Sequence, residues 1–461
     1  MRTSHAAPLA WLLCLAATLA ASPSARAEET ILFFQRFTQT TSLRPSARGG
    51  NVVADTSRAE ILVALGDHRL AVYEPSEVWL YDFAGKRVHR VSTRGGTYSD
   101  WSLHSFVAFK EMELEDRLAL RKRIRVARPG TEPSVLELES LFSIPARTAR
   151  PGRQETLVDS STADHVRVWI NGRMAVESIA TDSAFAPGRA AMFDRFLAYQ
   201  AHLHPTARRD LLRAGKVPRQ IVYRSRDYNE ESVVMMRLVR ISSAPEGNDP
   251  LSGATRVDVD DPEFVELDRR LMVCRHCAER GDWVAESRRF EAAALDSGRF
   301  VDAALARAER VLGACQRDSG WSAAIERRAR ADTAVAACRA GLAWRDSAGA
   351  AAALARLDRV NGAGLRKAYV LDYLRGRARI ATGDLKLGAY LIMGGLGGNP
   401  CMPGGWLDLA HDYMRAFQPV LAWICLEAAE QAQNGSACAP RLAERTARER
   451  ELERRYPDLF E

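Results

Sequence analysis

The chain has 461 residues, 47% of them hydrophobic and 27% charged, a balance that excludes wholesale disorder and allows two or three domains. Its 65 basic and 58 acidic residues leave a net charge of +7. Arginine far outnumbers lysine and the acidic residues are interleaved with it, so there is no basic stripe with stacking aromatics and a nucleic-acid partner is not expected. A weak attraction to anionic envelope surfaces is the one association the charge suggests.

Arg2, the apolar run Leu9–Ala21 and the small-x-small triplet Ala25-Arg26-Ala27 read as a secretory signal peptide cut after Ala27. The apolar run is short for a membrane span, and no later segment approaches about 18 uninterrupted apolar residues. The expected address is therefore the periplasm, reached by secretion across the inner membrane, with no transmembrane segment after cleavage.

Residues 28–244 predict a β-rich α+β domain. Ile31–Phe34, Ile61–Val63, Val78–Tyr81 and Val88–Val91 are short runs of β-branched and aromatic residues, the composition of strands. Val166–Ile170 and Arg173–Val176 flank Asn171-Gly172, which supplies the two positive-φ residues of a type I′ hairpin. Gln220–Arg224 and Ser232–Ile241 predict a second hairpin. Two helical inserts are expected, Leu103–Leu120 and Ala190–Ala214, the latter broken at Pro205.

Residues 245–284 read as a linker with a short helix. Asp261-Pro262-Glu263 has the form of an N-cap with proline at the first helical position, and Phe264–Val273 continues as a helix. The acidic residues Asp258, Asp260, Asp261 and Glu263 lack the glycine and terminal glutamate of a calcium loop. From Trp283 the chain is alanine-rich and helical. Residues 285–436 predict a helical-repeat array and residues 437–461 a charged capping helix, in which Leu442, Leu452 and Tyr456 are the only sizeable apolar residues of the stretch Leu442–Tyr456. The fold class is thus α+β: a mainly antiparallel β domain with helical inserts, followed by an all-α array.

Within that array, Trp406, Leu409, Ala410, Tyr413, Ala422, Leu426 and Ala429 resemble the packing positions of a tetratricopeptide repeat of about 34 residues. Moving back one period pairs Ala410 with Gly376, Ala422 with Gly388, Leu426 with Ile392 and Ala429 with Gly395, so small residues recur while the aromatics do not. The resemblance implies antiparallel helix pairs that stack and bind a protein partner. The seven residues are the family's packing positions and carry no ligand contact over. A second resemblance covers Val78–Val91 and Thr97–Trp101. A strand ending in Tyr81-Asp82, a turn, a strand and Thr97-Tyr98 before a helix are faintly similar to half-barrel envelope proteins related to lipoprotein carriers. It implies an apolar concavity lined by residues such as Trp79, Tyr81 and Trp169.

Seven cysteines follow the signal segment: Cys274, Cys277, Cys315, Cys338, Cys401, Cys425 and Cys438. Cys274-Arg-His-Cys277 is read first as a structural disulfide or buried thiols, then as a redox pair, then as metal ligands. No second C-x-x-C accompanies it. The connectivity is not fixed by the sequence, and Cys315–Cys338 and Cys401–Cys438, which would join neighbouring helices, are the first pairings to try. His202-Leu-His204 offers two imidazoles but no third ligand. The glycine run Gly394–Gly405 lacks the Lys-Ser/Thr of a phosphate loop. No nucleophile–base pair is assignable, so an enzyme is not expected and no cofactor or metal is assigned. The leading expectation is a protein-binding scaffold, the alternative an apolar-ligand carrier built on the sheet, and the third a thiol-redox enzyme.

Overall fold

The computed structural model describes residues 28–42, 52–127, 132–162, 164–228, 230–245, 250–252, 254–256, 274, 277, 282–316, 321–416, 418–432 and 438–460. The signal segment, the acidic patch at 258–261 and the helix expected over 264–273 lie outside them. The chain forms two compact units, one of residues up to Val257 together with Leu452–Glu461, the other Asp258–Glu451. The first therefore runs past the expected boundary at 244 and takes back the last residues of the expected capping helix.

The sheet unit begins with six strands, β1 (Glu28–Ser42), β2 (Val52–Leu65), β3 (Arg69–Tyr73), β4 (Glu77–Asp82), β5 (Arg87–Ser92) and β6 (Thr97–Ser102). Helices α1 (Leu103–Ala127) and α2 (Val135–Phe142) follow, then β7 (Leu157–Asp159), β8 (His165–Ile170) and β9 (Arg173–Ala184). After α3 (Arg189–Tyr199) and α4 (Pro205–Leu212) come β10 (Lys216–Arg226), β11 (Glu230–Pro245) and β12 (Thr255–Arg256). Among the described residues these make one twelve-stranded sheet in the order β12-β6-β5-β4-β3-β2-β1-β11-β10-β9-β8-β7. Its pairings are antiparallel except for the short parallel addition of β12 to β6.

Local chemistry accounts for most of this. Asn171 and Gly172 take φ of 52° and 75° between β8 and β9, as the Asn-Gly hairpin requires. Asp82 Oδ1 accepts from Gly85 N at 2.9 Å in the turn that joins β4 to β5. Pro205 opens α4 with His204 as its N-cap, so the second insert breaks where expected. α2 starts at a capping box, Ser134 with Glu137.

One face of the sheet is packed by the helices through aromatic rings. Phe34 on β1 stacks on Phe193 and Phe196 of α3. Tyr81 on β4 meets Tyr199 at 4.9 Å between ring centroids and Phe106 of α1 at 6.3 Å. Gln200 Nε2 donates to the Tyr81 hydroxyl at 2.7 Å, which satisfies a phenol that burial would otherwise penalise. The opposite face carries a smaller cluster of Ala64, Ala71 and Leu80, covered by Ile31, Leu62, Tyr73 and Leu251.

Lys110 of α1 is buried between helix ends. Its Nζ donates to Ala198 O at 2.8 Å and to Phe142 O at 3.5 Å, carbonyls at the C-terminal turns of α3 and α2 that favour a cation. Burial nevertheless pushes its pKa down to about 7, with Arg208 adding to the effect. Above pH 7 the folded chain releases this proton while an unfolded lysine keeps it up to its ordinary range. The contribution to stability is therefore complete only at alkaline pH and is lost as pH falls through about 7. Urea unfolding between pH 7 and 10 should show stability rising by a few kcal/mol at most from this group. Lys110→Met should flatten that slope, and an unchanged slope in the variant would refute the assignment.

In the helical unit, α5 (Trp283–Asp296) and α6 (Phe300–Ala308) are followed by a π-helical turn, Glu309–Gly313, and then by α7 (Ala323–Ala329). The pairs α8 (Thr333–Ala343) with α9 (Ser347–Leu357), α10 (Ala368–Ala381) with α11 (Leu385–Gly398), and α12 (Pro403–Arg415) with α13 (Pro419–Gln431) follow. α14 (Ala439–Arg455) carries the chain up to Leu452, and α15 (Pro457–Phe460) belongs to the sheet unit. Aspartate or serine opens many of these helices. Asp282, Ser322, Asp332, Asp346 and Asp384 each accept a backbone N–H as N-cap, the role for which these residue types are favoured. α8, α10 and α12 begin at residues 333, 368 and 403, close to the period of about 34 found in the sequence.

Candidate functional site

The seven repeat positions lie together in the helical unit. Trp406, Leu409, Ala410, Tyr413, Ala422 and Ala429 are buried in one cluster with Tyr373, Ile392 and Leu396, and half-buried Leu426 packs against it. Trp406 Nε1 donates to Pro400 O at 2.8 Å, so the indole closes the turn that leads into its own helix. In the preceding pair, α10 and α11 run antiparallel at backbone contact. A Cβ on Gly376 would lie 2.6 Å from Gly388 O, and one on Gly388 would lie 2.8 Å from Gly376 O. The small residues that recur in the sequence register are therefore a steric requirement of helix approach. This packing leaves the other side of α11 outward, with Leu387 40% and Tyr390 68% exposed.

The glycine run Gly394–Gly405 has the same explanation. Its first half lies in α11, and its second half starts α12 against the end of the π-helical turn, where a Cβ on Gly404 would stand 1.8 Å from Leu312 O. The run meets protein backbone and fills a packing role.

A fully buried carboxylate lies where that turn begins. Glu309 accepts from Ser287 Oγ at 2.7 Å, Lys367 Nζ at 2.5 Å and Asn399 Nδ2 at 2.8 Å, and from the Tyr369 hydroxyl. These donors come from α5, the approach to α10, the end of α11 and α10 itself. With four donors the charge is satisfied, and removing one partner leaves a costly buried ion. No sequence motif announces this hub, because its members are single residues scattered over more than a hundred positions.

The cysteine pairings differ from every one expected. Cys277 bonds to Cys401, with Cα atoms 5.4 Å apart, and Cys315 bonds to Cys438, with Cα atoms 5.1 Å apart. Both separations suit a disulfide. The expected Cys274–Cys277 bridge does not form. Cys277 is engaged elsewhere and the Cys274 thiol donates to Pro400 O at 3.3 Å. Cys315–Cys338 and Cys401–Cys438 fail because contact in the array does not follow chain neighbourhood. The start of α12 is set against residues 312 and 313, while Cys338 lies in a separate cluster with Leu357, Leu371 and Leu374. Burial pushes the Cys338 thiol up to about 12, and Asp332 adds to it, which makes it a poor nucleophile.

His202 and His204 are not brought to a common point. The His204 side chain accepts from Thr206 N at 3.1 Å and its Nε2 faces Glu139 at 3.3 Å. Burial lowers His202 to about 3, with Lys110 contributing, so it is neutral at ordinary pH. Among the described residues no three His, Cys, Asp or Glu side chains are gathered as a metal site would need.

On the sheet unit, Trp79 and Tyr81 share the helix-packed face. Trp169 does not, because it stands between the buried Val168 and Ile170 on β8 and projects to the other side. The face that the carrier expectation requires to be hollow is filled by the rings of Tyr81, Phe106, Tyr199, Phe193 and Phe196. A small crevice of about 30 Å³, partly open to solvent, lies elsewhere on this unit. Its lining mixes charged side chains, among them Glu137, Arg224 and Glu231, with the apolar Ile170, Met174 and Ala175.

The chain matches no protein-family model and no curated protein.

The two disulfides close chain separations of 124 and 123 residues. Loops of that length correspond to roughly 5 kcal/mol each in lost unfolded-state entropy. Non-reducing peptide mapping should recover Cys277–Cys401 and Cys315–Cys438, and reduction should lower the thermal midpoint of the helical transition by many degrees. A recovered Cys274–Cys277 peptide pair would overturn the assignment.

Proposed function

We propose that this is an exported protein-binding scaffold, with the helical unit holding a protein partner. The observation that carries the reading is the outward side of the α10–α11 hairpin. One side of α11 is locked to α10 at glycine contacts, and the other presents Leu387 and Tyr390 at helical spacing. Tyrosine is among the residue types enriched as anchors of protein interfaces, and Tyr390 stands on a rigid helix with Leu387 beside it. The resemblance of residues 369–436 to tetratricopeptide repeats supports the same reading. Export is supported by the signal-like start of the sequence and by two long-range disulfides, which an oxidising compartment sustains. No described helix is long and apolar enough to cross a membrane.

The carrier reading is weaker, since the ring-packed face leaves its ligand no apolar space there. The thiol-redox reading is weaker too, since Cys277 is committed to Cys401 and Cys338 is held protonated.

The test uses the intact mature chain as bait in envelope extracts, beside the double variant Leu387→Ser, Tyr390→Ser. Both residues are exposed, so the variant should keep its circular dichroism and melting profile. A partner retained by the parent should be depleted about tenfold or more on the variant, the equivalent of 1.4 kcal/mol. Equal retention by both baits, or no specific protein on either, would count against the scaffold.

A further inference from the structure

The charged capping helix does not end as a solvated cap. Leu452, Tyr456, Leu459 and Phe460 are buried, and from Leu452 onward the chain belongs to the sheet unit. The helix stops at Arg455, ahead of Pro457, and a last four-residue turn forms a separate foot. Several residues of Leu452–Phe460 have counterparts in the sheet unit. Glu453 pairs with Lys86 and lies 2.8 Å from His104 Nε2. Arg455 pairs with Glu111, and the Tyr456 hydroxyl donates to Glu111 Oε1 at 3.0 Å. The Tyr199 hydroxyl donates to Leu459 O at 2.8 Å, and the Phe460 ring stacks on His104 at 4.9 Å.

We propose that Lys86, His104, Glu111 and Tyr199 form a recognition site for a short protein segment. The chain's own residues Leu452–Phe460 occupy it in cis, and a partner segment of the same chemistry competes for it. That chemistry is specific: an acidic residue for the Lys86–His104 pair, and an arginine and a tyrosine for Glu111. An aliphatic–aromatic pair then meets Tyr199 and His104. The Glu111 carboxylate is only 4% exposed, so an apolar segment lacking the cation and hydroxyl would leave a buried charge without two of its donors. Exchange is feasible because the foot adds no strand to the sheet, and its outermost contact, Lys86 with Glu453, is 40% and 32% exposed. This site is separate from the exposed face of α11 and stands whether or not that face binds anything.

The experiment is hydrogen exchange of the intact chain with and without excess synthetic peptide of residues 450–461. A fluorescent copy of the peptide is also titrated against the parent and Phe460→Ala. Residues 456–460 should exchange by local opening, faster than β1, and the peptide should raise their exchange while β1 is unchanged. Phe460→Ala should bind the labelled peptide about tenfold more tightly than the parent, because its own tail competes less. If residues 456–460 are protected as strongly as β1 and the peptide changes nothing, the foot is a fixed part of the core and the proposal fails. That exchange result decides the matter even if the variant does not fold.

Discussion

The sheet unit depends on the placement of β1. Among the described residues it is the first strand and yet a central strand of the sheet, paired with β2 along its length and with β11 from the far end of the unit. A central strand exposes no unpaired edge, but its second partner arrives only after some two hundred residues. The β1–β11 pairing therefore rests on contacts between residues far apart in the chain. The aromatic layer fixes the outcome, since Phe34 of β1 must meet Phe193 and Phe196 of α3 across the same face that carries Tyr81 and Tyr199. Those stacked rings bury large apolar area with defined geometry, and they are also why this face holds protein side chains where a ligand space was expected.

The helical unit is held by a different kind of constraint. Its pairs approach so closely at Gly376, Gly388 and Gly404 that ordinary side chains cannot fit. Such contacts gain dispersion but tolerate no volume increase. Around them stand the Glu309 hub and two disulfides that tie residues 277 and 315 to the starts of α12 and α14. Close packing, a satisfied buried charge and covalent closure act on the same region, so the outward face of α11 rests on a rigid support. Rigidity matters for binding because side chains already in place lose little further freedom on contact.

Much of this was legible in the sequence wherever a local rule governs. Asn171-Gly172, Pro205 and the alternating strands needed only their own neighbours, and the positions from Trp406 to Ala429 needed only helical periodicity. What escaped was decided by tertiary contact. β7 is three residues long and β12 two, too short for a periodic signal. Trp169 has the composition of a core residue, and its side of the sheet is set by the burial of Val168 and Ile170 rather than by its own chemistry. The C-x-x-C spacing suggested a local bridge, whereas the meeting of α12's start with the π-helical turn gave Cys277 a partner 124 residues away.

The fate of residues 452–460 shows how a weak local signal can become a specific contact. In sequence, Leu452 and Tyr456 are isolated among charges. In the fold those charges face Lys86, His104 and Glu111. The segment belongs to the sheet unit although the whole helical unit intervenes in the sequence. The exposed pairing of Glu453 with Lys86 is worth about 1 kcal/mol or less, whereas the contacts around Glu111 lie in a drier setting and count for more. Attachment is then a balance of one strong anchor and several modest ones. Such a balance makes a segment specific in what can replace it without making it permanent.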